Sequence, residues 1–445
     1  MKKIKKSSFG RGLSIAKLGF KTGVKAAGNY IAPNKNNDDY LSDQIETIAK
    51  ELGELKGTMM KIGQGLSMYG EHFLPEKANT FLKSLQYQSP PLDWESIETT
   101  IEKELGLKAS SELEIEETAI ASASLGQVHK ATIKKTGEVI ALKVQYPGVD
   151  SAIRSDVKNL KRVFSIAKIF PSEMKLDSIF EEIKMMLYQE IDYKIELEWT
   201  KTVYENLKDD DRYIVPKVYP EYSTAKILAT SFIDGHTIDS PKVKALTQEK
   251  KNELSYSFLS HYLNELFLYH VVQTDPHLGN YRINIDEKTQ KCRLVLFDFG
   301  AMRQVPEHFE RPFKNIIQAA LENNKENVIK FGIELGYLKT DDKEDLKERY
   351  FQLCRMITEP FRVNELEPSA CISENNEYIW KKSDLPMRVA KAGTEVAKNY
   401  KLRTPPKESI FLDRKLGGTF VFLSVLDFKA NADDWIKDKL KALLS

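Results

Sequence analysis

Hydrophobic positions change period several times along the chain, and each change predicts an element. Leu41, Ile45, Ile48, Leu52, Leu55, Met59, Ile62 and Leu66 recur at three- and four-residue steps, which predicts an amphipathic helix with one apolar seam. Off that seam Gly53, Gly57, Lys61 and Gln64 fall together, the glycines permitting close approach of another element. Pro75, Pro90 and Pro91 punctuate a helical connector, and from Leu113 to Gln145 the pattern turns to β-branched alternation, with Lys134-Lys135-Thr136-Gly137 as a hairpin turn. On the second strand of that hairpin Val139, Ala141 and Lys143 share one face, and Ile140, Leu142 and Val144 the other. One long helix is expected from about Leu176 to Leu207, a short strand from Lys226 to Ile233, and a helix from Lys250 to Val272. Arg293-Leu294-Val295-Leu296-Phe297 alternates again, as the closing strand of a hairpin. Beyond Gly300 the chain reads as helices through to Ser445, with a turn at Pro405-Pro406.

Composition narrows the class. With 445 residues, 41% hydrophobic and 29% charged, the chain can bury a sizeable core in two or three domains. Lys+Arg of 66 against Asp+Glu of 65 leaves a net charge of +1, so no basic surplus points to nucleic acid. Charge is instead local: Met1 to Lys35 carries eight lysines and Arg11, with no acidic residue before Asp38. Leu13, Ala16, Phe20, Val24 and Ala27 recur there at helical steps beside Lys17, Lys21 and Lys25, as in a helix lying on anionic lipid, although Gly10, Gly12, Gly19, Gly23 and Gly28 weaken any helix. Cys292, Cys354 and Cys371 are far apart and form no C-x-x-C, which fits a reducing cytoplasm. No apolar run reaches the ~20 residues of a spanning helix, so the expected location is cytoplasmic, peripheral at the inner face of the membrane through the basic arm.

The candidate chemistry lies in Gln273 to Gly300. Asp275 and Asn280 stand in D-x-x-x-x-N spacing in a loop broken by Pro276 and carrying Gly279, and Asp298 begins Asp298-Phe299-Gly300. Phosphoryl transfer needs hard oxygen ligands for magnesium and a carboxylate beside the attacking oxygen. Asn280 and Asp298 would hold the metal, and Asp275 would orient the nucleophile. Asp, Gly and Pro also populate ordinary turns, so the assignment depends on a strand lysine and a helix carboxylate upstream. Ile140-Ala141-Leu142-Lys143 fits the first: Lys143 would meet the α- and β-phosphates of ATP, with Ala141 under the adenine. For the second, Glu190, Asp192 and Glu196 offer three carboxylates, and Glu196 is the choice for the pair with Lys143, since one straight helix cannot aim all three at one point. Where a Gly-rich phosphate loop would sit, Ala119 to Gln127 is alanine-rich, with Ala121, Ala123 and Ser124 as its nucleotide-facing candidates and a stiffer cover implied. No A-P-E follows the D-F-G, and no arginine immediately precedes Asp275.

Taken in order, Lys61-x-Gly63-Gln64, the Ala-rich loop, Ala141-Leu142-Lys143-Val144-Gln145-Tyr146-Pro147-Gly148, Glu190-x-Asp192, Asp275-Pro276-His277-x-Gly279-Asn280 and Asp298-Phe299-Gly300 resemble the UbiB (AarF) atypical kinase family from about Leu41 to Asp427. Arg414-Lys415-Leu416-Gly417-Gly418 looks like that family's coenzyme-Q-linked branch, while Leu278 departs from a loop that often has proline. The resemblance implies an α+β, bilobal protein-kinase-like fold: a small antiparallel N-lobe sheet, a mostly helical C-lobe and a helical K-x-G-Q extension over the place of a peptide substrate. The expected division is a basic arm at 1–37, the extension at 38–112, an N-lobe at 113–233 and a C-lobe at 234–445. The resemblance also implies that Lys61 and Gln64 meet Glu190 and Asp192. Its activity would be an ATPase or kinase using magnesium and ATP in ubiquinone or other isoprenoid-lipid synthesis, with a quinone precursor or lipid, an anionic membrane and quinone-biosynthesis enzymes as partners. A conventional protein or small-molecule kinase, and a nucleotide-gated scaffold without turnover, are the alternatives.

Overall fold

Each run of alternating residues between Leu113 and Ser231 forms a strand of one antiparallel sheet. The structure is a computed structural model of the chain and describes residues 58, 61–62, 92–123, 125–167, 176–398 and 407–443. The basic arm, most of the seamed helix, Gln64, Ser124 and the Pro405-Pro406 turn lie outside the described residues. The described part divides into two compact units: one runs to Lys201 and takes up Lys217–Phe232, and the other holds Thr202–Pro216 and the residues from Ile233 onward.

In the first unit, helix α1 (Trp94–Ser111) starts at Asp93, whose carboxylate accepts the Ser96 N–H at 3.1 Å. The sheet follows with β1 (Leu113–Ile115), β2 (Ala121–Ser122), β3 (Gly126–Ile133), β4 (Val139–Gln145) and β6 (Ile227–Ser231), in the order β1-β3-β4-β6 with β2 on β3. Gly137, at φ 74°, makes the turn between β3 and β4. Ile140, Leu142 and Val144 are buried against Ile97 and Ile101 of α1, which leaves Ala141 and Lys143 on the opposite face of β4. Helix α2 (Val149–Ala167) leads on to the carboxylate-bearing segment, where the structure departs from the sequence expectation. In place of one helix there are two, α3 (Leu176–Ile191) and α4 (Tyr193–Leu207), broken at Asp192. The groups freed by the break turn to the sheet: Tyr193 N–H donates to the Ala225 carbonyl at 3.0 Å, and Gln145 Nε2 to the Ile191 carbonyl at 2.7 Å. Asp192 starts the second helix by accepting the Lys194 N–H at 3.1 Å.

In the second unit, α5 (Pro241–Lys244) precedes the long helix α6 (Gln248–Phe267), whose Thr247 cap accepts from Lys250 N–H. The helix expected to reach Val272 ends early, because His270 takes a left-handed φ of 54° and Val271–Gln273 becomes strand β7. Strand β7 pairs with β10 (Met302–Gln304). Strands β8 (Tyr281–Ile285) and β9 (Cys292–Leu296) form the expected hairpin, with β5 (Tyr213–Ile214) parallel to β9. The remainder is α7 (Glu307–Leu321), α8 (Lys325–Glu334), α9 (Glu344–Ile357), α10 (Trp380–Ser383), α11 (Leu385–Lys398), α12 (Lys407–Val425) and α13 (Asp433–Ala442). The strand pair β11 (Tyr378–Ile379) and β12 (Lys429–Ala430) interrupts that helical run, which the sequence pattern did not predict. Phe258 of α6 stacks on Phe422 of α12 with ring centroids 3.7 Å apart, so α6 and α12 clamp the β8 end of the hairpin through Tyr281. Among the described residues, no helix is long and apolar enough to cross a membrane.

Candidate active site

At neighbouring helix ends the first unit carries two ion pairs, one buried and one partly exposed. Lys143 projects from β4 and meets Glu196, in the first turn of α4, with Nζ 2.7 Å from Oε1 and 2.8 Å from Oε2. Their side chains are only 16% and 4% exposed, so the bidentate contact is made largely out of water, where losing either partner strands a charge. Lys143 also lies 5.1 Å above the Tyr193 ring, which confines the amine from below. At the end of α3, Glu190 receives Lys61 Nζ at 2.7 Å. Asp192 sits at the break between the helices, spent on capping α4. The break resolves the geometric problem of three carboxylates on one helix: Glu190 and Glu196 belong to different helices and serve different lysines.

The alanine-rich segment is a narrow hairpin. Ala121 and Ser122 pair with Val128 and Gln127, and Ala123 N–H donates to the Gly126 carbonyl at 2.9 Å. Gly126 has no room for a side chain, since a Cβ would stand 2.5 Å from the Val144 carbonyl oxygen and 2.8 Å from the Tyr193 hydroxyl. Ala141 and Ala121 remain at least partly accessible, as a nucleotide-facing surface requires.

In the second unit the Asp275 loop is closed by its own groups. Asn280 Nδ2 donates to the Asp275 carbonyl at 3.0 Å, which ties the two ends together and leaves Oδ1 as the asparagine's metal-type donor. Phe297 N–H donates to the Asn280 carbonyl at 2.9 Å, so the hairpin register brings Asn280 and Asp298 to one end of β8 and β9. Asp298 adopts φ 59°, a left-handed conformation uncommon for a residue with a side chain, and its carboxylate accepts the Gly300 N–H at 3.3 Å. A carboxylate and an amide oxygen are the hard donors magnesium takes, with phosphates and water completing its octahedron. Among the described residues no group of three or more His, Cys, Asp or Glu could hold a metal ion by itself.

Sequence reasoning missed what lies behind this loop. Helix α12 presses Arg414, Lys415 and Gly418 onto Asp275, Gln273 and Pro276. Arg414 Nη2 donates to Asp275 Oδ1 at 3.2 Å, so an arginine faces this aspartate although the residue immediately before it is Thr274. Lys415 Nζ lies 2.9 Å from Glu265 Oε2, with both side chains 2% exposed, and 3.3 Å from the Tyr281 hydroxyl. Burial pushes the Lys415 ammonium down, but Glu265 and Tyr281 more than offset it, so the lysine is held above its ordinary value and stays charged. Burial, aided by Lys415 against the opposing pull of Glu265, holds His261 below its ordinary value. The segment Arg414 to Gly418 carries no local pattern that reveals these contacts; only its charge at buried helical positions hints at them.

Comparison with known proteins agrees with the motifs. Residues 84–332, more than half of the chain, match the family described as ABC1 atypical kinase-like domain. The Dictyostelium discoideum protein named probable serine/threonine-protein kinase abkA is 29% identical over 442 residues, 95% of this chain and 75% of its own length. The mitochondrial atypical kinase COQ8 of Saccharomyces cerevisiae is 29% identical over 383 residues, 86% of this chain and 73% of its own. The mitochondrial atypical kinase coq-8 of Caenorhabditis elegans is also 29% identical over 389 residues, but the chain spans 50% of its length. The solved structure of the Rv3197–erythromycin complex from Mycobacterium tuberculosis superposes with a TM-score of 0.58 at 23% identity, covering 91% of this chain and 98% of the other, a likeness of fold. The fold is therefore α+β and kinase-like, with its antiparallel sheet in the first unit and its helices concentrated in the second.

Proposed function

We propose that this chain, which belongs to the ABC1 atypical kinase-like family, binds magnesium and ATP and releases or transfers the terminal phosphate in support of ubiquinone or a related isoprenoid lipid, at a membrane surface. The observation that carries the reading is the buried pair of Lys143 and Glu196, contributed by residues 53 apart in sequence. A lysine held by both oxygens of a carboxylate is fixed in direction and stays a charged donor, which is what a phosphate-binding amine needs. Lys143 would meet the α- and β-phosphates, and Ala121, Ala123 and Ser124 would cover the nucleotide. Asn280 and Asp298 would hold magnesium, which when bound neutralises charge on the phosphates. Asp275, steered by Arg414 and by the Asn280 tie, would orient the attacking oxygen of water, lipid or protein. Lys61 with Glu190 would fix the extension that carries the K-x-G-Q segment.

The quinone assignment is supported by the Arg414 to Gly418 segment and by relatives named COQ8. The basic arm at 1–37 supports the membrane, and quinone-biosynthesis enzymes are the partners it would meet there. The test is ATP turnover by the purified chain with and without anionic liposomes and phenols resembling quinone precursors. Stimulation by both is expected. Turnover that is absent, or indifferent to both additions, contradicts the reading.

A further inference from the structure

Lys415 is the most deeply buried lysine among the described residues, and burial makes it costly. A buried ion pair is rarely more stable than apolar residues of the same volume, so its presence beside a functional loop asks what it positions. Its surroundings answer. Glu265, on α6, faces Lys415 with one oxygen at 2.9 Å, a charge pair more than an aligned hydrogen bond. With its other oxygen Glu265 accepts the backbone N–H of Gln273 at 3.1 Å. The Gln273 side chain is itself buried and lies between Lys415 and the metal-holding turn: Lys415 Nζ is 3.5 Å from Oε1, and Nε2 donates to the Asp298 carbonyl at 3.3 Å. Tyr281, one residue past Asn280, completes the set by directing its hydroxyl at both Lys415 and Gln273 Oε1.

We infer that Lys415 is a positioning residue for magnesium: acting through Glu265, Gln273 and Tyr281, it holds Asp298 in the left-handed backbone conformation that aims its carboxylate. The amide of Gln273 can donate to the Asp298 carbonyl only if its oxygen end faces a donor, and Lys415 supplies that donor from a place no solvent reaches. The ammonium thus fixes which way round Gln273 lies. Glu265 keeps the ammonium charged, and Asp298, at φ 59°, sits in a less populated backbone conformation that the Gln273 bond to its carbonyl helps to hold. The inference rests on the reading of Asp298 as a magnesium ligand.

The test separates magnesium from nucleotide. Lys415→Met alone leaves Glu265 buried and unpaired, so the variant of choice is the neutral pair Lys415→Met with Glu265→Gln, and beside it Gln273→Met, which cuts the link to Asp298 while leaving the ion pair intact. For full-length wild type and both variants, folding is checked by thermal melting. Binding of a fluorescent ADP analogue is then measured in EDTA and across a magnesium titration. Supporting groups behind a metal ligand are worth ~10- to 100-fold in metal affinity, so a rightward shift of that size in the magnesium midpoint is expected, with binding in EDTA unchanged. A variant of either kind that melts as wild type does and shows the wild-type magnesium midpoint overturns the inference. If wild type itself shows no magnesium dependence, the parent assignment of Asp298 fails first and the inference falls with it.

Discussion

Gly418 and Pro276 touch so closely that a Cβ on Gly418 would stand 2.1 Å from the Pro276 Cβ and 2.7 Å from its Cγ. The neighbouring Gly417 on the same helix has nothing within 4 Å of such a Cβ. The two glycines therefore answer opposite questions. Alanine at 417 gains the ordinary helical preference over glycine, ~0.5–1 kcal/mol of stability. Alanine at 418 has the same gain, but overpacking against a rigid proline ring costs about 1–3 kcal/mol and displaces the Asp275 loop. Urea unfolding should rank Gly417→Ala above wild type and Gly418→Ala below it, with turnover lost only in the second. Equal effects of the two substitutions would contradict the close packing.

Lys143 and Glu196 give a second prediction, in which stability and activity part company. Lys143→Met leaves Glu196 as an uncompensated buried charge and should cost about 3–5 kcal/mol of folding stability. Adding Glu196→Gln removes that charge and should recover most of the stability. Turnover should stay down in both by ~10²–10³, the scale of losing one preorganised electrostatic group. Unfolding curves and ATPase rates on the single and double variants decide the matter, and recovery of turnover in the double variant would remove Lys143 from the phosphate site.

His261, wholly enclosed beside Glu265, Lys415 and the Tyr213 ring, governs a third. Burial holds its folded value below the 6.5 of an exposed histidine. As pH falls through that ordinary value the unfolded chain takes up a proton that the folded chain refuses, so stability declines with acidity. One such group contributes at most about 1.4 kcal/mol per pH unit. His129, lowered by burial in the first unit, acts in the same direction. Urea midpoints at pH 7.5, 6.5 and 5.5 should therefore fall less steeply for His261→Gln than for wild type, and parallel lines would show that His261 takes up its proton as readily in the fold as in the unfolded chain.

The parts legible in the sequence were those whose chemistry is local. Asp275, Asn280 and Asp298 lie on one loop and one hairpin, and Lys143 lies on an alternating strand whose inward face, Ile140, Leu142 and Val144, declares itself by period alone. Glu196 could be chosen because a phosphate-binding strand lysine needs a carboxylate on a helix. What stayed hidden depends on contacts between distant segments. Arg414 reaches Asp275 across 139 residues, and Lys415 reaches Gln273 across 142, with nothing in either neighbourhood to announce the other. The break at Asp192 is likewise tertiary: α3 and α4 read as one helix until Ala225 and Gln145 claim the backbone groups between them. The short strands β7 and β10 follow the same rule, since three residues carry too little period to be read as a strand.

The account turns on Asp298, and one measurement tests it most directly: magnesium-dependent ATP binding and turnover by the full chain carrying Asp298→Asn, beside wild type. The substitution keeps the shape and the Gln273 hold on the backbone while removing the charge. The variant should melt as wild type does and lose turnover by ~10²–10³. A folded Asp298→Asn chain that binds magnesium-ATP and hydrolyses it at the wild-type rate would contradict the account.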